Sequence, residues 1–337
     1  MQKKNPAKRR PERLAVILLS LLFLSTAVFA TVKYVFRAPE LDTDKPIVTP
    51  SDTASTDADR TDTDEPDAPS RTRREYCYNI LVSGLDDDNG GSDTNILVRF
   101  DVPNKRIDLV SLPRDTLLHN EYRNNKLNYA YAKGGTELLM SQIENLLGVP
   151  VDFYVTVNLK GFIALVDQID GVDFDIPINM DYDDPYQDLH IHFTKGPRHL
   201  NGQEAMEVVR FRHNNDGTGY GTEDIGRIGT QQAFLKAVAK QLLQVGNVKN
   251  IPALVDIFYT YVKTDLTTGN LVWLGNEALN IGTENIHFAT LPGDGSGYYN
   301  KQSVYVLDAQ ATCDLVNEAL NPYNETLTLE DMDILVP

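Results

Sequence analysis

Between Tyr76 and Leu112 the chain alternates short apolar runs with polar breaks. The runs "YNILVSG" and "TNILVRFD" are rich in β-branched residues and predict two strands. Ile107 to Leu112, in "KRIDLVSLPRD", alternate with period two and stop at Pro113, which predicts a third. The period then changes. In "GGTELLMSQIENLLG", Leu138, Leu139, Ile143, Leu146 and Leu147 recur at helical spacing and Gly148 ends the element. "VDFYVTVNL" reads as a strand, "LKGFIALVDQIDG" as a helix closing on Gly171, and "VDFDIPI" as a strand again. Asn201 stands where an N-cap is needed for "NGQEAMEVVRF", and "EDIGRIGTQQAFLKAVAKQLLQ" predicts a long amphipathic helix. After about Gln244 the pattern gives two more helices ("VDIFYTYV", "NLVWLGNEALN"), a strand ("ENIHFATLPG") and a last helix near 307–320. The order predicts an α/β fold: an α-β-α layered single domain over 76–337 with a central mixed sheet. The sequence contains no internal repeat.

The N-terminal pattern is of another kind. Residues 1–13 carry six Lys or Arg against one Glu, and "LAVILLSLLFLSTAVFATV" (14–32) then runs 19 residues without a charge. That length suits one transmembrane helix, and the basic flank orients the N-terminus toward the cytoplasm, with the remainder extracellular. A cleaved signal peptide is the rival reading, because "VFA" at 28–30 has small residues at the cleavage spacing. Residues 33–75 are dominated by Asp, Thr, Pro and Ser, which predicts a disordered, self-repelling acidic linker that holds the domain away from the membrane.

Charge narrows the function. The 337 residues sum to −17 at pH 7, which argues against nucleic acid as a partner, since phosphate backbones are bound by basic surfaces. Two cysteines, Cys77 and Cys313, are too few for a disulfide framework; they either form one bridge or stay as buried thiols. Neither a Walker A loop nor a GxSxG elbow occurs.

Within this acidic domain the stretch "GLDDDNGGSDT" places four aspartates beside a glycine pair at the end of a predicted strand. Such crowding needs a positive partner, and oxygen ligands in a turn suit a hard cation, although a solvated Asp/Gly turn has the same composition. Residues 76–337 contain eight arginines, several at element ends: Arg114 in "SLPRD", Arg210 and Arg212 in "VVRFRH", and Arg227 in "EDIGRIG". Guanidinium forks match phosphate oxygens. Arg210 and Arg212 would face apart on a regular helix, so a shared ligand requires the helix to end between them. Together with the aspartates, these positions fit a metal–pyrophosphate site. Lys126 in "NNKLNYAYAKGG" could reach the same anion. His190 and His192 in "DLHIHF" share one side of a strand, which reads as an exposed face with metal binding as the alternative; Trp273 reads as core.

Five separated blocks resemble the LytR-CpsA-Psr family of cell-wall proteins: "NILVSGLDDDNGGSDTNILVRFD", "IDLVSLPRDT", "KLNYAYAKGG", "LNGQEAMEVVRFRH" and "DIGRIGTQQ". The resemblance implies a phosphotransferase that moves a glycopolymer (a teichoic acid, capsular or secondary wall polysaccharide) from a polyprenyl pyrophosphate carrier to peptidoglycan outside the membrane. It implies Mg²⁺, or Mn²⁺, on Asp86 and Asp93. The pyrophosphate would be gripped by Arg114, Lys126, Arg210, Arg212, Arg227 and Gln231, with Arg114, Asp224 and Arg227 catalytic and Asp224 orienting Arg227 or accepting a proton. An apolar groove with walls from helices 136–147 and 231–243 would take the lipid. One departure stands out: the family commonly has another arginine before the paired glutamines, where this chain has Thr230. Hydrolysis of the lipid pyrophosphate, or a non-catalytic lipid-binding role in envelope regulation, are the alternatives.

Overall fold

The computed structural model describes residues 36–41, 71–85, 90–186, 188–220, 223–242 and 257–336, with the backbone alone for 223–225. The basic tail, the apolar stretch 14–32, residues 42–70 and Asp86 to Asp88 therefore lie outside the described residues. None of the described helices is long and apolar enough to cross a membrane.

The three predicted N-terminal strands form as β1 (Cys77–Leu85), β2 (Ser92–Asp101) and β3 (Arg106–Leu112). They pair antiparallel, and the sheet is extended by β4 (Phe153–Asn158), β9 (Val262–Thr264) and β10 (Ile286–Thr290) into the order β10-β3-β2-β1-β4-β9. Because β4 runs parallel to β1 and β10 parallel to β3, the sheet is mixed. The carboxyl ends of β1, β3, β4 and β10 share one edge, the edge at which open α/β sheets bind ligands.

Strand alternation divides the core between two faces. Leu81, Leu97 and Val110 stand in register on one face, under α1 (Leu127–Leu147) and the late helix Ala309–Ala319, which buries Cys313 and Val316 there. Tyr78, Phe100 and Ile107 stand in register on the other, against Leu274 and Ile281 of the helix Thr268–Ile281. Trp273 packs at the margin of this second cluster, its ring 6.2 Å from that of Tyr78. The result is the layered single domain predicted from the pattern.

A third cluster is built from α2 (Leu159–Gln168), α3 (Gly202–Arg210) and α4 (Glu223–Leu242) with two antiparallel strand pairs, β5 (Val172–Ile176) with β8 (Gly196–Leu200) and, between them in the chain, the hairpin of β6 (Met180–Asp184) and β7 (Leu189–Phe193). Asn201 caps α3 as expected: its side chain accepts from the Glu204 N–H, and Glu204 returns to the Asn201 N–H. One further hairpin, β11 (Gly293–Tyr299) with β12 (Gln302–Leu307), turns on Asn300 and Lys301, both with positive φ.

Two expectations need correction and one alternative is decided. Helix α1 begins at Leu127 rather than at the Gly134–Gly135 pair, which it crosses at a kink with non-helical angles at both glycines. Of the two readings of Cys77 and Cys313 the structure holds the second, separate buried thiols, and burial pushes the Cys77 thiol up to about 11. Parts of the stretch read as a free linker are docked on the domain. The Pro39 carbonyl accepts from the Tyr78 hydroxyl at 3.1 Å and that of Arg37 from Asn270 Nδ2 at 3.0 Å. Arg71 pairs with Asp331, Arg73 with Asp152, and Arg74 with Asp101 at 2.8 Å.

Helix α3 delivers the Arg210 segment, and its seat on α2 depends on Gly202, where an added Cβ would stand 2.2 Å from the Ile163 carbonyl oxygen. A backbone atom cannot yield as a side chain does. Gly202→Ala is therefore expected to lower stability by roughly 1–3 kcal/mol in equilibrium urea unfolding; an unchanged midpoint would refute the close approach.

Candidate active site

Pro113 ends β3 and turns the chain out at the carboxyl edge of the sheet, so Arg114 leaves its strand at the edge where β2 begins with Ser92 and Asp93. The two side chains meet: Arg114 Nη1 lies 2.5 Å from Asp93 Oδ1. The other end of the same guanidinium, Nε, is 3.5 Å from Asp115 Oδ1, and Asp115 Oδ2 is 3.2 Å from Lys126 Nζ. Lys126 immediately precedes α1, and its strand-like bridge to Leu117 fixes where that helix starts. Asp93, Arg114, Asp115 and Lys126 thus form one chain of alternating charge. All four are partly exposed, with Lys126 the most covered at 19%.

A cleft opens beside this chain. Its walls are Asp93 to Ile96 from β2, Ser111 to Asp115 from the end of β3, Tyr305 from β12, and Arg227, Ile228, Gln231 and Leu235 from one side of α4. Helix α4 is held there by its paired glutamines. Gln231 Nε2 donates to the Val209 carbonyl at 3.0 Å, tying α4 to the end of α3. Gln232 Nε2 donates to Ala289 O at 2.7 Å, Thr290 Oγ1 at 2.8 Å and Ser111 Oγ at 3.3 Å, tying α4 to the ends of β10 and β3. Tyr305 is fixed by donating its hydroxyl proton to Leu291 O at 2.9 Å. The start of α4 lies close over Tyr220: a Cβ on Gly226 would meet Tyr220 Cβ at 2.2 Å, and the Tyr220 ring stacks edge-on to Phe211 at 5.6 Å. Burial raises the Tyr220 phenol above its ordinary range, while nearby Arg227 opposes the shift.

Of the residues singled out from the sequence, Asp93, Arg114, Arg227 and Gln231 line this one cleft, and Lys126 joins it through Asp115. Arg210 and Arg212 do not line it. Helix α3 does end between them, because Phe211 adopts an extended conformation and is fully buried. Arg210 is half-buried with Nη1 3.9 Å from Met206 Sδ, and Arg212 is exposed. The Val209–Gln231 hydrogen bond places the end of α3 against α4. Asp86 and the Asp224 side chain lie outside the described residues. Thr230 is buried and returns its hydroxyl to the Gly226 carbonyl at 3.1 Å, so no cation extends from this position. Of the expected apolar walls, α4 contributes Ile228 and Leu235, whereas Leu139, Ile143, Leu146 and Leu147 of α1 are spent in the core.

Two contributors were not read from the sequence. Asp115 follows Arg114 directly in "PRDT", and an acid beside a strand-end arginine was a signal available for its role. Gln232 acts through three hydrogen bonds to distant segments, which no local pattern announces. Asp93 lines the cleft with a hard carboxylate that is 38% exposed, the kind of donor that fits Mg²⁺ or Mn²⁺, which are ordinarily held by one or two carboxylates together with substrate phosphates.

Known proteins share this arrangement of sequence. The chain is 32% identical over 244 residues to a Bacillus cereus protein named polyisoprenyl-teichoic acid–peptidoglycan teichoic acid transferase TagU, covering 71% of this chain and 76% of that one. It is 31% identical over 248 residues to the Bacillus subtilis transferase TagV, covering 70% of this chain and 61% of that one. The crystal structure of B. subtilis TagV superposes with a TM-score of 0.62 at 26% identity, over 78% of this chain and all of the other. The sequence profile of the LytR_cpsA_psr family matches residues 47–321. With the profile spanning most of its length and relatives above 30% identical over 70% or more of it, the chain belongs to the LytR_cpsA_psr family.

Proposed function

We propose that the protein transfers a glycopolymer, of the teichoic acid or related wall-polysaccharide kind, from a polyprenyl pyrophosphate carrier to peptidoglycan. The observation that carries this reading is the convergence of Arg114 and Arg227 on one cleft of a chain whose net charge is −17. Two guanidinium groups converging in so acidic a protein fit an anionic ligand of matching geometry, and a pyrophosphate supplies several oxygens for forked donors. The transferases named among the relatives act on a substrate of that chemistry.

The carrier holds the glycan on one phosphorus and the polyprenyl chain on the other. A peptidoglycan hydroxyl attacks the glycan-side phosphorus and loses its proton. The bond to the bridging oxygen breaks, and polyprenyl phosphate leaves with the added negative charge. Arg114 and Arg227 donate to the phosphate oxygens on which that charge grows, which is where fixed donors accelerate a phosphoryl transfer. Asp93 and Asp115 hold the Arg114 guanidinium from its two ends, so its orientation is set before substrate arrives. Lys126 adds a positive charge behind Asp115, and Arg210 and Arg212 meet the outer phosphate or the first sugar from the end of α3. Asp224 accepts the hydroxyl proton or orients Arg227. Asp93, with Asp86, would hold Mg²⁺ or Mn²⁺, whose chemistry is to neutralise phosphate charge. Ile228 and Leu235 offer an apolar wall to the first isoprene units.

In this reading residues 14–32 span the cell membrane once, residues 1–13 are cytoplasmic, and the domain from about residue 76 is extracellular.

Three outcomes test it. With a labelled lipid-linked glycan and peptidoglycan acceptor, Arg114→Ala is expected to lower glycan transfer by roughly 10²–10³-fold, and Arg114→Lys to recover little because one ammonium cannot replace a fork. Release of polyprenyl phosphate with no glycan on the acceptor would replace transfer by hydrolysis. Calorimetric titration with Mg²⁺ should show weaker binding for Asp93→Ala; equal affinity would remove Asp93 from the metal site. Titration with a short-chain polyprenyl pyrophosphate should show Arg210→Ala losing on the order of 1.5–3 kcal/mol, and no loss would place Arg210 outside the ligand's reach.

A further inference from the structure

The β6–β7 hairpin presents a group of side chains that the cleft does not use. Its register sets Asp181 opposite His192 and Asp183 opposite His190. Alternation turns Tyr182 and Ile191 inward, so the four polar side chains share the solvent face. Asp183 Oδ1 sits between the imidazoles, 2.5 Å from His190 Nδ1 and 3.3 Å from His192 Nε2. One ligand atom from each of Asp183, His190 and His192 falls within 4.8 Å of the others.

We infer that Asp183, His190 and His192 form a binding site for a borderline divalent transition-metal ion, with Zn²⁺ the best match to a two-imidazole, one-carboxylate donor set. Three observations carry this beyond a pair of cross-strand His–Asp contacts. Ligand atoms around tetrahedral zinc stand about 3.3 Å apart, which is the His192–Asp183 separation, and the His190–Asp183 pair has only to open by about 0.8 Å. His192 has a further carboxylate on its other nitrogen, Nδ1 lying 2.8 Å from Asp181 Oδ1, the arrangement in which a metal-bound histidine is oriented and made more basic. Asp188 Oδ1 stands 3.7 Å from His190 Nε2, within ion-pair range but beyond hydrogen-bond distance. Asp183 is itself held from behind, because Asn215 accepts from its N–H at 3.0 Å and directs Nδ2 toward Oδ2 at 3.5 Å. By contrast His199, 2.8 Å from Asp173 Oδ1, shares that carboxylate with no second imidazole among the described residues.

Three protein ligands leave the fourth position of a tetrahedral ion open to water or an outside ligand. Through Asn215 the ion would also fix the segment that follows Arg212, but its binding does not depend on any activity of the cleft.

The test uses the untagged full-length protein in detergent, stripped with EDTA and titrated with Zn²⁺ against a chromophoric chelator. One equivalent is expected to bind, Co²⁺ in its place should give the visible bands of a four-coordinate ion, and Mg²⁺ should not compete. The double variant His190→Ala/His192→Ala should lose binding by at least about 100-fold, and Asp181→Asn by roughly 10-fold. His199→Ala should bind as the unaltered protein does. Urea unfolding without metal confirms that each variant is folded, as expected for exposed side chains. Absence of a Zn²⁺ equivalent in the unaltered protein, or equal affinity in the folded double variant, overturns the assignment.

Discussion

Arg114 is a guanidinium clasped by two carboxylates, and the construction of the cleft follows from that contact. Asp93 is the second residue of β2 and Asp115 the residue after Arg114, while Lys126, on the far side of Asp115, immediately precedes α1. The ends of two strands and the head of a helix, set in place by the β2–β3 ladder and the Leu117–Lys126 bridge, are thereby joined by charge as well. In a chain carrying 48 acidic residues against 31 basic ones, an arginine without this clasp would be free to swing to any neighbouring carboxylate. Clasped, it points one way, and a ligand meets a donor that loses little freedom on binding.

Helix α4 supplies the opposite wall, and its position is settled by two adjacent amides with unlike duties. Gln231 holds the end of α3, and Gln232 holds the ends of β3 and β10. The cleft is therefore a junction between the layered sheet and the lobe of paired strands, and each side is pinned to it by side-chain amides donating to main-chain carbonyls. Charge sets the chemistry of the junction; neutral hydrogen bonds set its width.

Much of this was legible in the sequence, for physical reasons that also mark where legibility ended. β1, β2 and β3 were readable because each alternates between two buried faces, and α3 because Asn201 and Glu204 form a reciprocal cap. The hairpin of β11 and β12 was not, because "GDGSGYY" has neither apolar alternation nor strand propensity and turns on Asn300 and Lys301 without a glycine. The glycine pair at 134–135 looked like a helix boundary and is a kink inside one. Site residues came through where an arginine stood near the end or the start of an element, as at Arg114 and Arg227. Asp115 and Gln232 were missed because their value lies in contacts with segments far along the chain, and Thr230 only acquired a meaning once its hydroxyl was seen to fold back on Gly226.

The docking of Phe36 to Leu41 bears on how the domain would meet a bilayer. With residues 14–32 in the membrane, as proposed, at most roughly 14 Å of chain would separate Val32 from Phe36, too short for a stand-off. The fastening point, Tyr78, is at the opposite end of β1 from the cleft, about 23 Å along the strand. For a lipid-borne phosphate to enter, the strand axis would have to recline along the membrane plane, so that tether and cleft face the same lipid surface.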